Sequence, residues 1–252
     1  MLPSVSVVIP CLNDAGPLEK CLRTLGAQTH SPMEIIVVDN GSTDSSASVA
    51  RRHGAILISE PVPGIAAAAS AGYDHAAGDI IVRCDTDSLL PVSWVQQIAT
   101  TFHEDPTLGA LTGPGTFYEL RPPWSWLWNV VYVYGYFAAV GSALAGVPLF
   151  GSNMAVRRSC WEAVRPEVHR NDVGMHDDMC LSMHLGLRFR IRFQRSLQVG
   201  ISPRALVGRG NRRRRIQRAF HTLGAHGTEN LPWNRWARRL GLGKTTGRLH
   251  TK

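Results

Sequence analysis

With 252 residues, 44% hydrophobic and 18% charged, the chain can bury the core of one large domain or two small ones, and its composition excludes a disordered protein. The net charge of +8 hides an asymmetry: residues 204–252 carry 11 Arg and 2 Lys against the single Glu229, whereas residues 1–203 carry 14 basic and 18 acidic side chains. A body of charge −4 therefore bears a tail of +12, which suits an anionic membrane surface, a polyphosphate ligand or nucleic acid.

The first residues carry no basic n-region or cleavage site, so no signal peptide is expected. Residues 5–10 are β-branched and almost wholly apolar, the pattern of a strand buried on both faces. Leu18, Cys21, Leu22 and Leu25 recur at helical spacing and predict a helix over about 16–27. A second buried strand covers 34–39 and stops at the polar run Asn40-Gly41-Ser42-Thr43-Asp44. That run can cap a helix through His53, with Gly54 at its C-terminal cap. A short strand at 55–59, an Ala-rich helix at 64–77 and a fourth strand at 80–83 follow, delivering Cys84-Asp85-Thr86-Asp87-Ser88 into a loop.

Strand and helix alternate with short connections, which predicts a mostly parallel α/β sheet with helices on both faces and ligands at strand carboxyl ends. Asp39 and the pair Asp85/Asp87 all stand at such ends. Carboxylates two residues apart on an extended chain point the same way and offer hard oxygens to Mg²⁺ or Mn²⁺; taken alone, the pair is also consistent with a solvated turn. Neither a Gly-x-Gly-x-x-Gly loop after the first strand nor a Gly-x-x-x-x-Gly-Lys-Ser/Thr motif is present. This argues against a nicotinamide dehydrogenase and a P-loop NTPase.

Trp94, Ile98 and Phe102 mark a further helix face, and 108–112 a strand that Gly113-Pro114-Gly115 breaks. Between Arg121 and Arg157 no residue is charged, and Trp124, Trp126, Trp128, Tyr132, Tyr134 and Tyr136 crowd the first half of that tract. Three readings are open: a membrane span, a buried helical pair lining a pocket, and an aromatic surface seated in a membrane interface. A single span would set Asp87 and Asp178 on opposite sides of the bilayer. His176-Asp177-Asp178 opens a helix whose Leu181 and Leu185 face the core. The macrodipole stabilises carboxylates there, and a positioned carboxylate can also act as a general base. Arg188, Arg190 and Arg192 share one strand face, read as solvated. Arg212 to Arg215, with Ile216, Phe220 and Leu223, predict a basic amphipathic helix; one or two of these arginines, or His221, are alternative closers over a diphosphate. Trp233 and Trp236 suit an interface, and residues 241–252 are expected to be loose. Cys11, Cys21, Cys84, Cys160 and Cys180 show no zinc or disulfide spacing, which suits a reducing cytosol.

Residues 5–14, the run Val37 to Asp44, Gly78-Asp79 and Cys84-Asp85-Thr86-Asp87 come in the order and spacing of family 2 glycosyltransferases, and residues 3–200 resemble that family with its GT-A, Rossmann-like fold. The resemblance implies a nucleotide-diphosphate sugar donor of UDP, GDP or dTDP type, Mg²⁺ or Mn²⁺, and inverting transfer to an acceptor hydroxyl. It implies that Asp39 accepts a hydrogen bond from the nucleobase and that Pro10 and Asn13 flank the nucleotide. Asp87 then faces the metal, Asp85 bonds the ribose or supports the metal shell, Gly151 and Asn153 lie under the donor sugar, and Asp178 is the general base. The family's Arg-Asn after Gly64 is replaced by Ala69-Ser70, which leaves the nucleotide open. The Gln-x-x-Arg-Trp of processive members is replaced by Gln217-Arg218-Ala219-Phe220, so one sugar per binding event is expected.

The expected organisation is a catalytic domain over 1–203, with a donor half (1–112) and an acceptor half (113–203) carrying the apolar tract 122–156, followed by the basic tail 204–252. The acceptor is expected to be a lipid or lipid-linked glycan at the cytosolic membrane face, with peripheral contact to anionic lipid and no nucleic-acid partner. The tail is expected to be dispensable for donor hydrolysis. A soluble glycosyltransferase with a small-molecule or polysaccharide acceptor, a nucleotidyltransferase and a nucleic-acid-binding protein are the alternatives.

Overall fold

Four parallel strands build the donor half: β1 (Val5–Cys11), β2 (Glu34–Asp39), β3 (Ile56–Ser59) and β4 (Ile80–Arg83). In this computed structural model, which describes residues 1–206 and 209–242, the sheet continues through β5 (Leu108–Thr112). After β6 (Gly115–Phe117) the chain inserts β7 (Met154–Arg157) antiparallel between β4 and β5, and β8 (Arg190–Phe193) closes the edge parallel to β5. The order is β3-β2-β1-β4-β7-β5-β8, so the crossover from β1 to β4 makes a switch point where both flanking carboxyl ends open. The segment expected to be loose lies, from residue 243 on, outside the described residues.

Helices cover both faces because the strands alternate. Val7 and Ile9 of β1 pack with Leu18 and Leu22 of α1 (Ala15–Gly26), whereas Val8 points into the opposite core. The intervening helices are α2 (Ser46–Arg52) and α3 (Ile65–His75). Gly72 of α3 sits so close to the sheet that a Cβ there would meet Val8 Cγ1 at 2.3 Å and Val38 Cγ2 at 2.9 Å. Ala68 and Ala69, four and three residues before Gly72, pack in the same core as Val8 and Val38. On the first face lies α4 (Trp94–Glu104), with Trp94, Ile98 and Phe102 buried as their spacing predicts.

β5 ends at Thr112, where Gly113-Pro114-Gly115 was expected to break it, but strand structure does not stop there. β6 resumes at Gly115 and pairs in parallel with β9 (Val199–Ile201). Its partner lies more than 80 residues downstream, out of reach of local pattern reading. The aromatic tract forms one continuous helical run: α5 (Trp124–Trp128), a π-helical segment (Asn129–Tyr134) and α6 (Gly135–Leu144). These 21 residues are long and apolar enough to cross a membrane. One side nonetheless packs on the core through Val133, Tyr132, Tyr136 and Phe137, while Trp124 and Trp126 are 60% and 68% exposed.

After α7 (Arg158–Val164) and α8 (Asp177–Leu185), the basic segment folds back as α9 (Arg209–Ala225) and α10 (Pro232–Arg239). Ala219 and Leu223 of α9 pack against Leu144, Met179 and Met183. Arg235 of α10 is fully buried and donates to the Leu144 and Met183 carbonyls, the orphan acceptors at the ends of α6 and α8. Arg235→Met should leave those carbonyls unpaired and cost about 3 kcal/mol, lowering Tm by roughly 6–10 °C in a thermal melt. Arg190 and Arg192 pair with Asp105, and Arg188 with Glu167, so that face is ion-paired and solvated.

Candidate active site

Arg83 connects the two acidic motifs. It is a charged residue at the end of an apolar central strand, 2% exposed, and its guanidinium donates to Asp85 Oδ1 at 2.9 Å and to Asp177 Oδ2. A buried charge of this kind is tolerated only when paired, and deleting one partner costs about 3–5 kcal/mol. The pairing therefore fixes the Asp85 loop relative to the N-terminus of α8. Gly151 is required at the crossing, because a Cβ there would stand 2.6 Å from Arg83 Nη1. Its neighbour Ser152 donates to Asp85 Oδ2, and the Gly151 N–H donates to Asp178 Oδ2 at 3.0 Å.

A cavity of about 560 Å³ opens above these groups and brings Asp85, Asp87, Gly151 and Asp178 together. Tyr132 and Tyr136 of the aromatic run, and Arg204, Arg215 and Arg218 of the basic segment, also line it. Arg204 bridges two carboxylates, with Nη2 donating to Asp87 Oδ2 at 2.8 Å and Nη1 to Asp14 Oδ1 at 2.7 Å. Burial and the adjacent Asp85 charge raise the Asp87 pKa against the opposing pull of Arg204. Two carboxylates repelling one another at the mouth of a cavity form a donor set that fits a hard divalent cation.

Asp178 behaves differently from Asp87. Burial alone would raise its pKa, but contact with His176, the Arg83 charge and the Gly151 N–H outweigh burial and hold it down to about 2. His176 Nδ1 stands 3.5 Å from Asp178 Oδ1, and Asp178 raises the His176 pKa despite burial, which alone would lower it. The depressed Asp178 contributes stability above the ordinary aspartate value of 3.8 that is lost as the pH falls toward about 2. The raised His176 contributes stability below the ordinary histidine range that is lost as the pH rises through its folded pKa. His176→Ala should leave burial less opposed, so the acid limb of the kcat/KM profile should move to higher pH; an unmoved profile would exclude this role for the imidazole.

The remaining expected residues stand elsewhere. Pro10 and Asp39 close β1 and β2 on the same sheet rim, outside the lining of this cavity. Asp39 Oδ1 accepts from the Ser42 N–H at 3.0 Å, and Asn13, left-handed at φ 52°, accepts from the Thr43 N–H at 2.7 Å, so both shape the 40–44 loop. Asn153 does not face the cavity. It is fully buried, accepts from Trp94 Nε1 at 2.9 Å and donates to the Leu197 carbonyl at 2.6 Å, so its amide is occupied in tying α4 to the chain before β9. The tail, expected to be dispensable for donor hydrolysis, nonetheless reaches the site. Beyond its arginines in the cavity, Thr222 of α9 accepts from the His176 N–H at 2.9 Å and positions the residue beside Asp178. Arg83 was detectable in the sequence as a charge ending an apolar strand; Tyr136 and His176 stood inside segments singled out there without a role of their own, and Arg204 carried no comparable local signal.

The sheet order and the placement of the cavity define a GT-A type α/β protein. The model of glycosyl transferase family 2 matches residues 6–164, and the chain belongs to that family. The glycosyltransferase AglE of Haloferax volcanii is 35% identical over 108 residues, covering 40% of this chain and 36% of that protein. An N-acetylglucosaminyltransferase of Bradyrhizobium elkanii is 32% identical over 123 residues, 45% of this chain and 66% of that protein. The mannosyltransferase PcManGT from Pyrobaculum calidifontis, solved with GDP-Man and Mn²⁺, superposes with a TM-score of 0.64 at 25% identity, over 97% of this chain and 66% of that one. Glucosyl-3-phosphoglycerate synthase from Mycobacterium tuberculosis, solved with Mg²⁺ and UDP, shares the fold with a TM-score of 0.64 at 22% identity, over 88% and 80% of the two chains. The match thus spans little more than a third of the Haloferax protein's length.

Proposed function

We propose that the chain is an inverting, non-processive glycosyltransferase that moves a sugar from a nucleotide-diphosphate donor to an acceptor hydroxyl. The observation that carries this reading is the ionised Asp178 on the same cavity as Asp85, Asp87 and four arginines. Asp87, with Asp85 beside it, would hold Mg²⁺ or Mn²⁺, which when bound neutralises charge on the departing diphosphate. Arg204, Arg215 and Arg218 add positive charge where that diphosphate would lie. Asp178 takes the acceptor proton as the new bond forms, so no covalent enzyme intermediate is needed and the anomeric carbon inverts. Asp39, Pro10 and Asn13 hold the nucleoside at the neighbouring strand ends. The pairing of GDP-Man with Mn²⁺ in the Pyrobaculum neighbour supports this donor class. In a thermal-shift panel of UDP-, GDP- and dTDP-sugars, at least one donor should raise Tm only when Mn²⁺ is present. A panel without any such shift would contradict the reading.

The acceptor is assigned to a lipid or lipid-linked glycan at the cytosolic membrane face. The helical run that supplies Tyr132 and Tyr136 to the cavity bares Trp124 and Trp126 to solvent, and α9 bares Ile216 and Phe220 at 59% and 70% exposure beside Arg213 and Arg214. Apolar tips with arginines between them suit the headgroup region of an anionic bilayer. The protein should float with phosphatidylglycerol vesicles and not with phosphatidylcholine vesicles, and Trp124→Ser/Trp126→Ser should weaken the association about tenfold. Failure to float with either lipid would favour a soluble acceptor.

A further inference from the structure

We propose that His169, Cys180, His184 and His226 form a second metal centre, a His₃Cys site for Zn²⁺ that fastens the end of α9 to α8. Each residue offers one ligand atom, and these atoms lie within 4.8 Å of one another. Zinc bonds of 2.0–2.3 Å in a tetrahedron place donors about 3.3–3.7 Å apart, so the side chains need draw in by only about 1 Å. His169 Nδ1 and Cys180 Sγ already stand 3.7 Å apart. Cys180 and His184 are one turn apart on the same face of α8, His169 comes from the loop before it, and His226 immediately follows α9.

The tautomers point inward. His226 Nδ1 lies 2.6 Å from the Thr222 carbonyl oxygen, so Nδ1 carries the proton and Nε2 keeps its lone pair. His184 Nδ1 faces Glu167 Oε2 at 3.5 Å, with the same consequence for its Nε2. A carbonyl or carboxylate behind the imidazole is the usual support of a metal-bound histidine. Both Nε2 atoms are buried and have no hydrogen-bond partner, and His226 is 6% exposed. The imidazole centroids of His169 and His226 are 4.6 Å apart, and those of His184 and His226 are 5.0 Å apart. A solvent-open cavity of about 530 Å³ reaches His169, His184 and His226 and gives an ion its path in.

Three imidazoles and a thiolate select zinc over the hard cations that the oxygen donors of Asp85 and Asp87 suit, so the two centres would take different metals. The second one has a structural task. It secures the helix whose Thr222 holds His176 and whose arginines line the catalytic cavity. The inference does not rest on sugar transfer, and its test reads metal coordination directly.

Full-length protein stripped with chelator and titrated with Co²⁺ should bind about one equivalent with the intense visible bands of tetrahedral cobalt and a near-ultraviolet thiolate charge-transfer band, both displaced by Zn²⁺. Cys180→Ser should abolish the charge-transfer band. His169→Ala, in a half-buried loop position that leaves the core intact, should reduce tightly bound zinc from about one per chain to near zero with an unchanged circular dichroism spectrum. Asp87→Asn should leave the cobalt spectrum as it is. The proposal is overturned if folded wild-type protein shows no tetrahedral cobalt spectrum, if the spectrum survives both Cys180→Ser and His169→Ala, or if Asp87→Asn removes it.

Discussion

Asp87→Asn should lower kcat for sugar transfer by about 10³-fold, some 4 kcal/mol of transition-state stabilisation, while leaving the protein at least as stable as the wild type. The activity loss follows from removing the negative charge that would anchor the cation neutralising the leaving diphosphate. The stability result follows from the sign of the pKa shift. Burial and Asp85 raise the Asp87 pKa, so the folded state disfavours its ionised form, and at neutral pH that charge destabilises the fold. An amide oxygen still accepts from Arg204, so the bridge between Asp14 and residue 87 persists. A thermal melt beside a kcat measurement separates the two effects. A drop in Tm accompanying the activity loss would indicate a structural role instead.

Asp178→Asn should reduce kcat by a similar 10³-fold or so through loss of proton abstraction, with donor affinity nearly unchanged. Its stability effect should have the opposite sign to that of Asp87→Asn. Here the pKa is lowered to about 2, so the ionised carboxylate stabilises the fold at neutral pH, and its removal should cost about 2 kcal/mol. Donor binding measured by calorimetry, kcat from product formation and a thermal melt together distinguish base, anchor and scaffold. If Asp178→Asn raised the dissociation constant of the donor and left kcat intact, the carboxylate would be a binding group.

The donor half was legible in the sequence because its signals are local. β-branched runs, Ala-rich helical spacing and an Asp-x-Asp at a strand end each act within about ten residues, and the sheet from β1 to β4 followed from them. The acceptor half depends on partners far apart in sequence. β6 finds β9, Asn153 finds Trp94 and Leu197, and Arg204 reaches back to Asp14 and Asp87, so no window of sequence contains the reason for any of them. Asn153 shows the hazard of reading a role from position in a motif: the residue is next to the cavity in sequence, yet its side chain faces the core. Charge counting identified the tail as basic and missed that Arg235 is an interior residue serving two helix ends. The cysteine spacing likewise gave no hint of the cluster around Cys180, whose companions come from three separate segments.

A cavity with these groups should turn over a nucleotide-diphosphate sugar. The decisive measurement is nucleoside diphosphate release from a panel of UDP-, GDP- and dTDP-sugars, with Mn²⁺ and with chelator. The expected result is release from at least one donor that requires Mn²⁺, falls about 10³-fold in Asp87→Asn and yields an inverted sugar anomer. Absence of metal-dependent release from every donor, or release that Asp87→Asn leaves untouched, would contradict the assignment of this cavity as the active site.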